Sequence, residues 1–425
     1  MEEIQERAVL VGIRLDNDEQ FDYSMEELAS LAEACGVEVS GMITQNLERP
    51  NPSHYIGSGK VGEILTFHDA TDSNLVIFND ELSPSQIRNL ETELDTKVID
   101  RTMLILDIFA RRAKTREAQL QVELAQLQYM LPRLVGLRAS LSRQAGSTGG
   151  GVATRGPGET KLELDRRRIE DQIARLRREL ESVKSHRETQ RKRRVKRDVP
   201  VVSLVGYTNA GKSTIMNTML AGIGDGAGRQ VLERDMLFAT LDTSVRNIHL
   251  QDNREFLLTD TVGFVGKLPH HLVKAFRSTL EEAADADLLL HVVDVSHPEH
   301  RYMMDVTEDT LADIGIEGIP EVHVYNKSDL ADLEHPRKQG NSIWISAKES
   351  GDIRELTELI ASKVFGDYGR AKLLIPFDRG DVVSYLNEHA DVKETEYTED
   401  GTLMDVEIRE ADRNRFEEFF APPEK

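Results

Sequence analysis

Gly206-Tyr207-Thr208-Asn209-Ala210-Gly211-Lys212-Ser213 follows the apolar run Val201 to Val205 and precedes a helix expected from about Thr214. The spacing is G-x-x-x-x-G-K-[ST], and its setting predicts a strand, a glycine turn and a helix. Such a turn aims successive backbone N–H groups at one point, where the helix N-terminus adds partial positive charge. Gly206 and Gly211 permit the backbone angles and the close approach that phosphate oxygens require. Lys212 is placed to reach outer phosphates, and the Ser213 hydroxyl to ligate a magnesium ion.

Three more motifs follow in order. Asp260-Thr261-Val262-Gly263 closes the apolar run Phe256 to Thr259. A carboxylate there can hold magnesium, directly or through water, and the Gly263 N–H can sense a terminal phosphate. Asn326-Lys327-Ser328-Asp329 closes Val322 to Tyr325. An Asp accepts from two adjacent N–H groups only when the base offers both, as guanine does and adenine does not, so the wrong base leaves a carboxylate unpaired. Ser346-Ala347-Lys348, after Ser342 to Ile345, supplies backbone donors for the guanine oxygen. Each motif ends a strand, where ligands bind in an open parallel sheet. The ordered set predicts a chain that binds GTP and GDP.

Between the first two motifs lies Phe238-Ala239-Thr240-Leu241-Asp242-Thr243, preceded by the glycine-rich stretch Gly222 to Gly228. A threonine here closes over magnesium when the γ-phosphate is present and releases after hydrolysis. Thr240 is the expected residue and Thr243 the reserve. After Gly263, where many small GTPases place a water-orienting glutamine, stand Phe264 and Val265. Hydrolysis is therefore expected to be slow in isolation, with the site completed from outside. Asn209, fourth in the phosphate loop, resembles the asparagine of potassium-activated GTPases. That makes potassium a candidate second cation, the other reading being an asparagine that stabilises the turn.

The 425 residues carry a formal charge of −22, and Cys35 is the single cysteine. A single cysteine excludes an intrachain disulfide and any cysteine-cluster metal site. No apolar run approaches the ~20 residues of a membrane span, and the acidic start lacks a signal peptide's pattern. A cytoplasmic, monomeric protein without membrane contact is expected. The acidity is uneven. Residues 101–199 hold 24 Lys/Arg and 12 Asp/Glu, a net of +12, so the remainder carries −34. Such a basic element on an acidic chain is a local electrostatic footprint for nucleic acid.

Within that stretch, Leu120, Leu124, Leu127, Leu131 and Leu134 recur at spacings of four and three, as do Ile169, Ile173, Leu176, Leu180 and Val183. Each set draws one apolar stripe on a helix, and the pair predicts two long antiparallel helices of roughly 35–40 residues sealed along that seam. Pro132 is expected to kink the first. Gly146 to Gly151 and Gly156-Pro157-Gly158 are expected to form a loop at the tip. Arg143, Arg155 and Lys161 lie in or beside it, and Arg166-Arg167-Arg168 opens the second helix. Arginines on a bare backbone suit contacts to irregular RNA. A coiled-coil spacer with a solvated basic face is the alternative.

The expected fold class is α/β in four parts. Residues 1–100 form a small domain with a parallel sheet, 101–199 the basic hairpin, 200–368 the GTPase domain and 369–425 a small α+β domain. In the first, strands are expected at Val9 to Ile13, Glu38 to Thr44, Leu75 to Phe78 and Lys97 to Ile99. Helices are expected near Met25 to Ala34, Lys60 to His68 and Ser83 to Leu94. Gly57-Ser58-Gly59-Lys60 lacks the full phosphate-loop spacing and reads as a turn entering a helix. The last part reads as strand, helix, a hairpin turning at Gly401 and a helix near Ala411 to Phe420.

Tyr55-Ile56-Gly57-Ser58-Gly59-Lys60, Gln128-Tyr129-Met130-Leu131-Pro132-Arg133-Leu134, Arg155-Gly156-Pro157-Gly158-Glu159-Thr160 and Leu162-Glu163-Leu164-Asp165-Arg166-Arg167 resemble the HflX family, as does the phosphate loop with its Tyr-Thr-Asn. The resemblance runs from about residue 5 to 370. It implies a ribosome-associated GTPase whose hairpin loop reaches toward the peptidyl-transferase region of the large subunit. In some members it also implies splitting of stalled ribosomes under stress. Thr243-Ser244 departs from the family's more usual Pro-Thr, and Ser147-Thr148 lengthens the glycine loop. Two other readings stay open: an RNA-remodelling or RNA-modifying NTPase, and a scaffold for which GTP is a structural ligand.

Overall fold

The computed structural model describes residues 6–16, 18–145, 157–195, 199–222, 238, 244–250, 254–269, 272–273, 283–366 and 368–420. The first unit alternates strand and helix: β1 (Arg7–Arg14), α1 (Phe21–Ala34), β2 (Glu38–Asn46), α2 (Ser58–Thr71), β3 (Leu75–Phe78), α3 (Pro84–Leu94), β4 (Lys97–Asp100) and α4 (Arg101–Arg112). Its four strands are parallel in the order β2-β1-β3-β4. β1 is buried on both faces, which is why Ala8 to Ile13 is almost continuously apolar rather than alternating. Leu28, Leu31, Ile105 and Phe109 from α1 and α4 cover one face; Ile64 and Leu90 from α2 and α3 cover the other. Ser83 begins α3 with a capping box to Gln86, and Pro84 takes the first turn, where its missing N–H costs nothing.

The hairpin is α5 (Arg116–Ala145) and α6 (Pro157–Val195). At 1.5 Å per residue these span about 45 and about 60 Å. Leu120, Leu124, Ile173 and Leu176 form its seam, extended by Leu127, Leu131, Ile169, Leu180 and Val183. The other face of α5, through Ala118, Val122, Ala125 and Tyr129, enters the core of the first unit. One expectation needs correcting. Gly156-Pro157-Gly158 was expected to lie outside the helix, yet α6 starts at Pro157. Proline's fixed φ suits a first helical position, where no intrahelical N–H bond is lost. Pro132 lies inside α5.

The third unit contains β5 (Val201–Val205), α7 (Lys212–Gly222), β6 (Ser244–His249), β7 (Glu255–Asp260), β8 (Leu288–Asp294), α8 (His300–Asp313), β9 (Glu321–Asn326), β10 (Arg337–Gln339), β11 (Ser342–Trp344) and α9 (Ser350–Val364). Its sheet runs β10-β11-β9-β8-β5-β7-β6. The five central strands are parallel, while β6 and β10 pair antiparallel at the edges. The four motifs therefore sit side by side along one end of the sheet.

The last unit has β12 (Tyr368–Ile375), α10 (Gly380–His389), β13 (Asp391–Tyr397) and β14 (Thr402–Arg409), antiparallel in the order β12-β14-β13. Gly401, at φ 153°, makes the expected hairpin turn. The final helix, Glu410–Phe419, is a 3-10 helix, and its buried Phe416 and Phe419 are one three-residue turn apart. Among the described residues no helix is long and apolar enough to cross a membrane.

Candidate nucleotide site

The phosphate loop leaves β5 at Gly206 and enters α7 at Lys212. Two glycines are required by space as well as by angle. A Cβ on Gly206 (φ 143°) would stand 2.3 Å from the Val292 carbonyl oxygen, and one on Gly211 (φ 97°) 2.2 Å from Asn326 Nδ2. Asn209 takes the left-handed region at φ 60° and is exposed. Lys212 is 6% exposed, and its Nζ donates to the carbonyl oxygens of Gly206 (2.8 Å) and Tyr207 (2.7 Å). Burial pushes its pKa down to about 8, and Asp260 only partly offsets this.

Ser213 and Asp260 meet across the ends of α7 and β7, the Ser213 hydroxyl donating to Asp260 Oδ2 at 2.6 Å. Asp260 is fully buried. A hydroxyl beside a carboxylate is an oxygen donor set of the kind magnesium takes. Thr261 turns its hydroxyl inward to the Leu204 carbonyl (2.7 Å), so it braces β7 against β5. Gly263 is packed against Thr208, whose N–H donates to the Phe264 carbonyl at 2.7 Å. Phe264 is buried in an apolar cluster with Tyr207 and Val273.

Asn326 ties the end of β9 to the phosphate loop and to the turn after β11. Its Nδ2 donates to the Ala210 carbonyl (2.8 Å), and its Oδ1 accepts from the Ala347 N–H (2.9 Å). Ser328 is buried and anchors its turn to the Tyr325 and Ile345 carbonyls. Lys327, at φ 62°, pairs with Asp294 at 2.6 Å, while Asp329 is exposed at the mouth. The Ser346 N–H donates to Asp352 (2.7 Å), and Lys348 is exposed beyond it. Thr214 is half-buried in the first turn of α7.

Two residues of the predicted set send their side chains elsewhere. Phe238 gives its N–H to Thr208 Oγ1 (2.9 Å), while its ring packs edge-on against Phe109 of α4, 4.6 Å between centroids. Tyr207 points its hydroxyl into the first unit and donates to Glu27 Oε1 at 2.5 Å, while accepting from the Gly266 N–H at 2.5 Å. Glu27 is paired with Arg101, which also reaches Asn79 Oδ1 (3.0 Å) and the Ser24 carbonyl (3.2 Å). Lys267 adds an ion pair with Asp80 at 2.7 Å. Glu27, Asn79 and Arg101 were not legible as site neighbours; Glu27 reads as a surface residue of an amphipathic helix and Arg101 as part of a basic run.

Ala239, Thr240, Leu241, Asp242 and Thr243 lie outside the described residues, as do Arg155 and the side chains of Arg143 and Lys161. Arg166, half-buried, and Arg167, exposed, are on α6 and paired with Glu170 (3.5 Å) and Glu163 (3.2 Å). Tyr129, the clearest aromatic of the basic stretch, is 5% exposed and donates to Asp100 at 2.5 Å, so it is no stacking platform. In the turn at Gly57, the N–H is taken by Gln45 (3.0 Å) and Lys60 pairs with Glu63 (2.7 Å).

Families described as GTP-binding GTPase N-terminal, GTP-binding GTPase Middle Region and 50S ribosome-binding GTPase match residues 22–110, 112–194 and 201–327. A relative from Caldanaerobacter subterraneus subsp. tengcongensis, named GTPase HflX, is 46% identical over 96% of this chain and 93% of its own. GTPase HflX of Escherichia coli is 40% identical over 94% and 92%. Among solved structures, SsGBP in complex with GDP is 26% identical over 85% of this chain and 99% of that one, at a TM-score of 0.46. With a parallel N-terminal unit, a helical hairpin and a P-loop sheet in that order, and 46% identity to a GTPase HflX over 96% of its length, the chain belongs to the HflX family of GTPases.

Proposed function

We propose that this GTPase holds GTP across the ends of β5, β7, β9 and β11, hydrolyses it slowly alone, and is stimulated when its basic hairpin engages the large ribosomal subunit. The observation that carries the reading is the buried Lys212, held by two carbonyls beside the Ser213–Asp260 pair. A cation so withdrawn from water is completed by phosphate oxygens. Asp329 accepts two guanine N–H groups. The Ala347 and Lys348 N–H groups serve as donors to the guanine oxygen in this reading, the first shared with Asn326.

Ser213 and Asp260 would hold magnesium, which would neutralise phosphate charge, and Thr240 is the threonine that would close over it in the GTP state. Water attacks the γ-phosphorus and the bond to the β–γ bridging oxygen breaks, giving GDP, inorganic phosphate and a proton. Lys212 and the Gly263 N–H stabilise the charge on the transferring group. The buried Phe264 offers no polar group to orient that water, which assigns the missing function to the ribosome, with Asn209 helping to hold potassium. The matched family's description as a 50S ribosome-binding GTPase supports this partner. Arg143, Arg155, Lys161, Arg166 and Arg167 on the hairpin supply the phosphate contacts, and splitting of stalled ribosomes is the outcome we assign to that insertion.

The test is GTP hydrolysis with and without purified large subunits, in potassium and then sodium at matched ionic strength. Stimulation by the subunit in potassium is expected. Basal rates at saturating subunit, with normal GTP binding, would sink the ribosome reading, and equal rates in the two salts would remove the potassium role.

A further inference from the structure

Three side chains away from the nucleotide meet on one face of the central sheet. His291 of β8 and His323 of β9 are cross-strand partners, and Glu321 lies two residues before His323, hence on the same face. His291 Nδ1 stands 3.0 Å from Glu321 Oε1, and His323 Nε2 stands 3.6 Å from that same oxygen. One ligand atom from each residue lies within 4.8 Å of the others. His291 is 1% exposed, while Glu321 and His323 are half-buried. The Glu321 carboxyl is held below the usual carboxylate range, chiefly by its hydrogen bond with His291.

Zinc binds imidazole nitrogen and carboxylate oxygen at about 2.0–2.2 Å, so tetrahedral ligands stand roughly 3.3–3.6 Å apart. The His323–Glu321 separation of 3.6 Å lies in that range, and the His291–Glu321 separation of 3.0 Å lies about 0.3 Å below it, so an ion would part that pair slightly. Magnesium and calcium prefer all-oxygen shells, which this set lacks. We propose that His291, Glu321 and His323 form a zinc site distinct from the magnesium position, with water as fourth ligand from the half-open face. The ion would clasp β8 to β9 three residues upstream of both Asp294 and Asn326, and so steady the two strand ends that carry the base-recognition turn. Without an ion, His291 is hydrogen-bonded to Glu321 and His323 stands at ion-pair distance from the same carboxylate, a purely electrostatic cluster that is the competing account.

The experiment uses the full chain with its nucleotide site saturated by magnesium and GDP, titrated with zinc chloride against a chromophoric zinc chelator. Cys35 is buried, which keeps its thiol out of the competition. One zinc per chain is expected, together with a raised melting temperature. His323→Ala and Glu321→Gln, both at half-exposed positions, should keep GDP binding. Each should weaken zinc by more than the roughly 10–100-fold that loss of an outer-shell partner costs. Zinc fully withdrawn by the chelator from the unaltered chain would overturn the site. So would retention unchanged in both variants, which would place the ion elsewhere.

Discussion

Arg101 and Lys212 are both buried cations, one in each of the two parallel-sheet units, and they are held in opposite ways. Arg101, 2% exposed, meets a carboxylate, an amide oxygen and a carbonyl supplied by α1, the end of β3 and their flanks. Lys212 has two loop carbonyls, and burial has pulled its pKa down. A buried charge paired directly with a carboxylate is architecture; one bonded to carbonyls, with a nearby carboxylate only partly offsetting its burial, is a site for an arriving anion. The two are also neighbours by proxy. Tyr207 gives its carbonyl to Lys212 and its hydroxyl to Glu27, the partner of Arg101.

The largest test of that contrast is Arg101→Met. Removing one member of a buried pair strands Glu27 and should destabilise the chain by about 3–5 kcal/mol, and adding Glu27→Leu should recover most of it. Urea unfolding of both variants checks this, and a single variant as stable as the parent would erase the distinction. Lys212→Met should behave differently, unfolding no earlier than the parent without nucleotide. Its GDP affinity should fall by roughly 10–100-fold, from lost charge-assisted hydrogen bonds of about 1.5–3 kcal/mol. A Met variant that binds GDP normally would show that the lysine is architecture too.

The smallest effect sharpens the comparison through protons. With a pKa of about 8, Lys212 is about half neutral near that pH in the free protein. Phosphate raises the pKa again, so GDP binding near pH 8.5 should take up a fraction of a proton, and affinity should weaken as pH rises above about 8. Calorimetry in two buffers of different ionisation enthalpy reads the uptake, and Lys212→Met should abolish it. Uptake that persists in the variant would assign the proton to another group.

Much of this was legible because it is local. β5, with its glycine turn and α7, follows from a short apolar run and fixed spacing, and the leucine seam of α5 and α6 from period alone. The parallel sheet of the first unit could be read because its strands are apolar runs separated by helical stretches. Gly156-Pro157-Gly158 signals a break in isolation, whereas a proline is welcome as the first residue of a helix, and Pro157 takes that place in α6. The 3-10 form of the last helix rests on Phe416 and Phe419 finding a core, which no local rule announces.

The sequence alone determined which units form, their order, and which four turns line one sheet end, because propensities and motif spacings act within a few residues. Only the tertiary structure decided where Tyr207 and Phe238 point. Both residues belong to loops of the proposed nucleotide site, yet their side chains are engaged by partners far along the chain, Glu27 and Phe109. It likewise brought His291 to His323 through strand register, and turned one arginine of a basic run inward to Glu27. Burial and pairing across distant segments set those outcomes, since desolvation is decided by the packed surroundings of a side chain and not by its neighbours in sequence.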